Sequence, residues 1–442
     1  MNKRVLLFLS CLLLVSVSGC GSGTAVPLPN GFLYAANSFR PGSMAGFSVT
    51  TGALIQTTGT PFVTTGNAPY TIAVSPPALP APAPAATAKF LYAGIPATTK
   101  GGVITRVLGR TLSGPVTGGI MMMPVNSDHS LGTPQMFAGG GDYDPIAVTP
   151  SGNFLYAIDL TANLLVPFSI DTSKGALTAI SQASMPVGPD PFNVVVDPQG
   201  KYVFVANCHC RTTPDNQGTV SVFSINSSTG ALAQVGLPFL LGGGGAQPVA
   251  LAVSPDSKFL FVATLDDKVY VESISNGVLS DAISGMPSVP LPVGSTPVSI
   301  AVSTDGNYVY TGNAGTRAVS FFLNCLQATA PMGCPGPGTP PPPLAVPSNN
   351  STTPASGTVG VMLADPTNPP PCTTTTEINC SSTSVSGFLY VTDYDHGSIQ
   401  AYSITSTNAC TGISNCIPGT LNQSGSAVNT GGQNPFGLAI AH

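Results

Sequence analysis

Tryptophan is absent from this sequence, and ionised side chains are few. The first absence excludes repeat architectures that dock through a Trp-containing motif. The second is sharper: Asp, Glu, Lys and Arg make up 7% of the residues, against about a quarter in an ordinary globular domain. With 13 basic and 18 acidic residues, the chain carries no cationic surface of the kind that holds nucleic acid by its phosphates. No apolar run reaches the roughly 20 residues that a membrane-spanning helix needs. Scarce charge does not mean disorder here, because 43% of the residues are hydrophobic and can build a large core.

The N-terminus reads as a targeting segment. Lys3 and Arg4 precede an apolar run from Val5 to Val17, followed by Ser18, Gly19 and Cys20. A charged start, an apolar middle and small residues at the end make a secretory signal. The ending "VSGC" resembles a bacterial lipobox. The resemblance implies cleavage before Cys20 and lipid on its sulfur. Residues 1–19 would then be a lipoprotein signal peptide and residues 20–30 a lipidated tether. The mature chain would be exported and anchored in the bacterial cell envelope, periplasmic or surface-facing, with the membrane as a partner. Loss of Lys3 and Arg4 leaves 11 basic against 18 acidic residues.

Ten cysteines are present. Cys11 leaves with the signal and Cys20 takes the lipid. The remaining eight fall in close pairs: Cys208/Cys210, Cys325/Cys334, Cys372/Cys380 and Cys410/Cys416. An even number in an oxidising compartment reads as disulfides. Neighbour pairing is expected for the last three pairs, each stapling a surface loop, and a disulfide is the reading for Cys208 and Cys210.

The rest of the chain repeats itself. "FLYAAN" at Phe32 recurs as "FLYAGI" at Phe90, "FLYAID" at Phe154, "YVFVAN" at Tyr202, "FLFVAT" at Phe259, "YVYTGN" at Tyr308 and "FLYVTD" at Phe388. An apolar run precedes most copies, as in "PYTIAVSP" from Pro69, "PFNVVVDPQG" from Pro191, "PVALAVSPDS" from Pro248 and "PVSIAVSTDG" from Pro297, with a clipped "DPIAVTPSG" from Asp144. A Pro-Asp-Gly type turn joins the two as a hairpin. A third alternating phrase follows, such as "VSVFSINSSTGAL", and a less regular fourth strand leads onward. Four strands per unit at a period near 50 residues predict propeller blades.

The ends complete one another. The Phe32 copy lacks a preceding "P-x-x-I-A-V" strand, and "PFGLAIAH" from Pro435 lacks a following "FLY" strand. Joined, they make one blade. The expected fold is all-β: a seven-bladed β-propeller of four-stranded antiparallel blades over residues 31–442, closed by pairing of the N- and C-terminal segments. Two stretches lengthen the period, a Pro-rich loop at 75–89 and a Cys/Pro-rich insertion at 324–386, both expected as extended surface loops.

The phrases "PVALAVSPDSKFLFVA" and "PFNVVVDPQGKYVFVANCHCRTTPDNQGTVSVFSI" resemble the YVTN-type propeller repeat and the seven-bladed lactonase (6-phosphogluconolactonase) superfamily. The resemblance covers residues 31–442. It implies the fold, and it implies hydrolysis or cycloisomerisation of a lactone only as one reading, because the matching positions are core and turn residues.

Candidate chemistry gathers in the loops after the "FLY" strands: Arg40, Asp159, His209, Arg211, Asp266, Arg317, Asp393, Asp395 and His396, with Asp142, Asp144 and Asp190 from the loops before the Pro strands. All are expected on one face, as a polar funnel at the channel mouth. Lactone hydrolysis needs a base to activate water and a cation for the oxyanion; His209, His396, Asp395, Arg211 and Arg317 are the candidates. "NCHCRT" at 207–212 brings soft ligands together but lacks a remote partner pair, and "DYD" and "DYDHG" lack a complete calcium-loop pattern. No metal or cofactor is therefore expected, and those carboxylates read as solvated turn residues. "IMMMPV" reads as a core strand. The sugar-phosphate substrate of a cytosolic 6-phosphogluconolactonase fits neither an exported chain nor so few cations. The leading expectation is a monomeric binding scaffold for a protein, glycan or small molecule, with a lactonase-like enzyme as the alternative.

Overall fold

The computed structural model describes residues 31–38, 42–50, 53–64, 69–75, 89–97, 118–139, 141–181, 183–210, 217–283, 288–303, 305–326, 334, 344–345, 351–352, 359–364, 385–405, 418–432 and 434–441. The signal, the tether and most of the two expected loops lie outside these residues.

Every sheet is antiparallel, and neighbours along its main path follow one another in sequence except at two places: Pro435–Ala441 lies beside Gly31–Asn37, and Tyr143 bridges to Ile95. The inner strands are Ile72–Val74, Tyr143–Val148, Pro191–Val196, Pro248–Val253, Pro297–Val302, Val359–Ala364 and Pro435–Ala441. Each pairs with the "FLY" strand that follows it, except the last. Pro435–Ala441 pairs with Gly31–Asn37, with Leu33 opposite Ile440 and Ala35 opposite Leu438. The inner strands pack in cyclic order, Val359–Ala364 against Pro435–Ala441 and Pro435–Ala441 against Ile72–Val74. Chain ends meet in one sheet, and the sheets encircle an axis as a β-propeller.

Most inner strands begin at a proline and carry a register shift one residue later, as between Pro191 and Asn193, Pro248 and Ala250, and Pro297 and Ser299. Proline suits a strand's first residue because it has no N–H to place in the ladder. At the other end a short side chain holds the hairpin. The Ser254 hydroxyl accepts from the N–H groups of Lys258 and Phe259, and the Asp197 carboxylate accepts from those of Lys201 and Tyr202. That is the physical content of the "SPDS" and "DPQG" phrases.

The "FLY" phrase recurs because it joins each sheet to the next. Its third residue points into the following seam. Tyr34, Tyr92, Tyr156 and Tyr310 donate their hydroxyls to the carbonyls of His129, Gly175, Gly230 and Gly419, each in the next sheet's outer turn. Its first residue lies under that same turn. Gly175 and Gly230 sit at φ +72°, and a Cβ on either would strike the rings of Phe90 and Phe154, so "KGAL" and "TGAL" need their glycine twice over. Its second residue faces the preceding sheet.

Two expectations need correction. Residues 324–386 are more than a surface loop: they supply an inner strand, Val359–Ala364, paired with Val385–Asp393, and the outer pieces Leu344–Ala345 and Ser351–Thr352. This inner strand reads "VGVMLA", without the proline signature, so the repeat pattern passed over it. The carboxylates Asp142 and Asp144 are not solvated: they are 2% and 0% exposed. "IMMMPV" is a buried strand, Gly119–Pro124, as its sequence says.

Candidate functional site

The inner strands surround a cavity of about 170 Å3 lined by Thr71, Ile72, Ile146, Asn193, Val194, Leu251, Ser299, Ile300 and Leu438, among others. Its walls are apolar, with a belt of small polar groups at the bulge positions Thr71, Asn193 and Ser299. The Asn193 carboxamide oxygen accepts from the Leu251 N–H at 3.2 Å. The Ser299 hydroxyl is buried without a hydrogen-bond partner.

The mouth on the "FLY"-loop side is closed by apolar side chains rather than opened by charge. Tyr70, Phe192, Val249 and Phe436 pack there with Cys208 and Tyr394 as one buried cluster. Register explains the choice: Tyr70, Phe192, Val249, Val298 and Phe436 occupy equivalent positions on their inner strands. In the strand Tyr143–Val148 the same position is Asp144. Its carboxylate accepts from the Thr71 hydroxyl at 2.6 Å, and the Thr71 oxygen in turn accepts from the Ile146 N–H. One fully buried carboxylate is thus set into an otherwise apolar ring.

The expected funnel residues divide by place. Arg40 and Arg211 lie outside the described residues. Asp142 accepts from the Ala97 N–H, and Asp159 from the N–H groups of Thr161 and Ala162, so both hold loops. Asp190 is buried. Asp266 pairs with Lys268 at 2.8 Å. His209 is half-buried, between two cysteines joined as a disulfide, which takes both thiols from any metal. Arg317 and Asp395 are exposed. Cys325–Cys334 is also bonded, while Cys372, Cys380, Cys410 and Cys416 lie outside the described residues. Among the described residues no three His, Cys, Asp or Glu side chains converge as metal ligands.

Two of the expected funnel residues do come together, as a pair not expected from the sequence. His396 Nδ1 lies 3.0 and 2.9 Å from the two oxygens of Asp393. Asp393 is buried at the end of its strand and also accepts from the His396 N–H. The tight turn "DYDHG" places His three residues after Asp, which lets side chain and backbone share one carboxylate. An Nδ1–H given to Asp393 leaves Nε2 as the base, on a ring that is 55% exposed. Tyr394, between the two residues of the turn, belongs to the mouth cluster. Sequence reasoning named His396, Asp393 and Asp144 but missed Asp267, whose carboxylate accepts from the N–H groups of Gly294 and Thr296 and holds the next sheet's entry loop. Only the short "DD" pair could have signalled it.

No protein-family model matches the sequence. Solved structures do resemble the fold. A candidate 6-phosphogluconolactonase from Bacteroides uniformis superposes with a TM-score of 0.59 at 15% identity, covering 93% of this chain and 99% of that one. Another from Bacteroides fragilis gives 0.59 at 16%, covering 95% and 99%. A protein from Lactobacillus plantarum gives 0.59 at 14%, covering 93% and 99%. At such identities the likeness speaks for the fold alone.

Proposed function

We propose that this chain is a seven-bladed propeller, exported and lipid-anchored at Cys20, that hydrolyses an unphosphorylated lactone at its mouth. The observation that carries the reading is the Asp393–His396 pair beside the mouth cluster. His396 Nε2 takes a proton from water as that water attacks the lactone carbonyl, and the imidazolium then gives the proton to the ring oxygen as the acyl C–O bond breaks, releasing the hydroxy acid. The buried Asp393 carboxylate fixes the tautomer and balances the imidazolium that forms. The seven-blade count is supported by the inner strands, each packed on its neighbours in a closed cycle. A phosphorylated substrate fits poorly. Among the described residues of this face the cations are Lys268, already paired with Asp266, and Arg317.

The test is a panel of aldono- and acyl-lactones offered to the soluble domain, repeated with His396→Ala, Asp393→Asn and Asp144→Asn. Turnover that falls at least a hundredfold in His396→Ala supports the reading. Turnover unchanged in that variant removes His396 as the base.

A second reading, a non-catalytic binding scaffold at the envelope, is favoured by the apolar closure of the channel mouth. A lactone panel without turnover by the folded wild-type domain favours it over the first.

A further inference from the structure

The third strand of each sheet carries one residue opposite the middle of "FLY", pointing into the seam with the preceding sheet. In six of the repeats it is Phe47, Met123, Phe168, Phe223, Phe322 or Tyr402. In the sheet that begins at Pro248 it is Glu272, opposite Leu260. Its neighbours on the same side of the strand, Tyr270 and Ile274, pack with Phe204, Val220, Val222 and Leu260. Glu272 is 0% exposed, and neither of its oxygens has a hydrogen-bond partner. A carboxylate has been put where the repeat otherwise puts an apolar side chain.

The same seam lacks another fastening. Phe204 stands where Tyr34, Tyr92, Tyr156 and Tyr310 send a hydroxyl into the next sheet. The third position of the phrase therefore sends no hydroxyl from this strand into the Pro248 sheet.

We propose that Glu272 makes the seam between the Pro191 and Pro248 sheets a pH-sensitive latch: closed while the carboxyl is protonated, and opening when the proton leaves. Burial, with Asp281 opposite adding repulsion, raises its pKa from 4.5 to about 8. The other ionisable groups packed around it offer no compensating charge. On its own strand Lys268 is taken by Asp266 and Tyr270 is held neutral by burial. Across the seam, the strand Tyr202–Asn207 brings Tyr202, and Thr219–Ile225 brings none. The paired strand Phe259–Thr264 has none either.

An acid whose pKa is higher closed than open holds its proton only in the closed form between the two values. Each rise of one pH unit between about 5 and 8 then favours opening about tenfold, and above about 8 the effect levels off because both forms are charged. The latch is firm in acid and loose at neutral to alkaline pH.

Hydrogen exchange of the intact folded domain, corrected for the intrinsic pH dependence of exchange, reads this opening. In wild type, opening in segments 202–207 and 268–281 should rise about tenfold per pH unit from 5.5 to 7.5. In Glu272→Gln it should be flat. Glu272→Met restores a side chain that Met123 shows the position accepts, and is the second variant should Gln not fold. The Tyr156 seam, where Phe223 stands in the place of Glu272, is the internal control. A wild-type seam whose opening is flat with pH, or a rise that persists in either variant, overturns the proposal.

Discussion

At the scale of single residues, the joints between sheets are the places where small changes tell most. Tyr156 gives its hydroxyl to the Gly230 carbonyl at 3.0 Å inside a seam, and burial raises the phenol's pKa well above its ordinary value of 10, so it stays a donor at all working pH values. Tyr156→Phe removes the donor and leaves that carbonyl short of one bond. The expected loss is about 1–2 kcal/mol, read as a shift of the urea midpoint. Gly230→Ala should cost more, roughly 2–4 kcal/mol. It adds backbone strain at φ +72° and drives a methyl into the Phe154 ring. If Ala at 230 matches wild type, the turn does not bear on the ring as described. The site was half legible at this scale. Asp393 and His396 were legible as loop residues of one face, but not as a pair, which only the turn geometry makes. That Asp144 would be buried in the channel ring was not legible, because "DYDP" reads as a turn until register sets it between Tyr70 and Phe192.

At the scale of elements, the hairpin between inner and second strands is held by one short side chain. Ser254 accepts two backbone N–H groups and donates to Asp256 at 2.6 Å. Ser254→Ala removes all three bonds without adding bulk at a fully buried site. The expected cost is about 1–3 kcal/mol, with exchange protection lost at the N–H groups of Lys258 and Phe259 before the rest of the sheet. Strand identity was legible wherever alternation and a turn signal coincided. It failed at Val359–Ala364, which has no proline, no repeat phrase and long Pro/Thr/Ser-rich stretches on both sides. That strand is held by pairing with Val385–Asp393 and by its neighbours in the ring. Such support is tertiary, and a local pattern cannot report it.

At the scale of the molecule, the ring owes its closure to the last strand. Pro435–Ala441 hydrogen-bonds along Gly31–Asn37 and packs on both neighbouring inner strands. Gln56 of the same sheet donates to the Asn429 carbonyl at 2.6 Å, a second tie across the same seam. Deleting residues 435–442 would uncover Leu33, Ala35 and Tyr34, all now buried, and leave two inner strands without a neighbour. It would also open an edge ready to pair with another chain. Losing the buried area of Phe436 and Leu438 alone costs about 3–6 kcal/mol, comparable with the whole stability of many domains. The truncated domain should therefore aggregate or unfold at a temperature at least 10 °C lower. Adding residues 435–442 back as a free peptide should restore part of the loss, as RT ln(1 + [L]/Kd) requires for a ligand that binds only the folded ring. Deleting an equal length from the exposed outer strand Leu421–Asn429 should cost less, since most of its side chains face solvent. A truncated domain that melts like the full one would mean that the ends merely lie side by side and the ring stands without them.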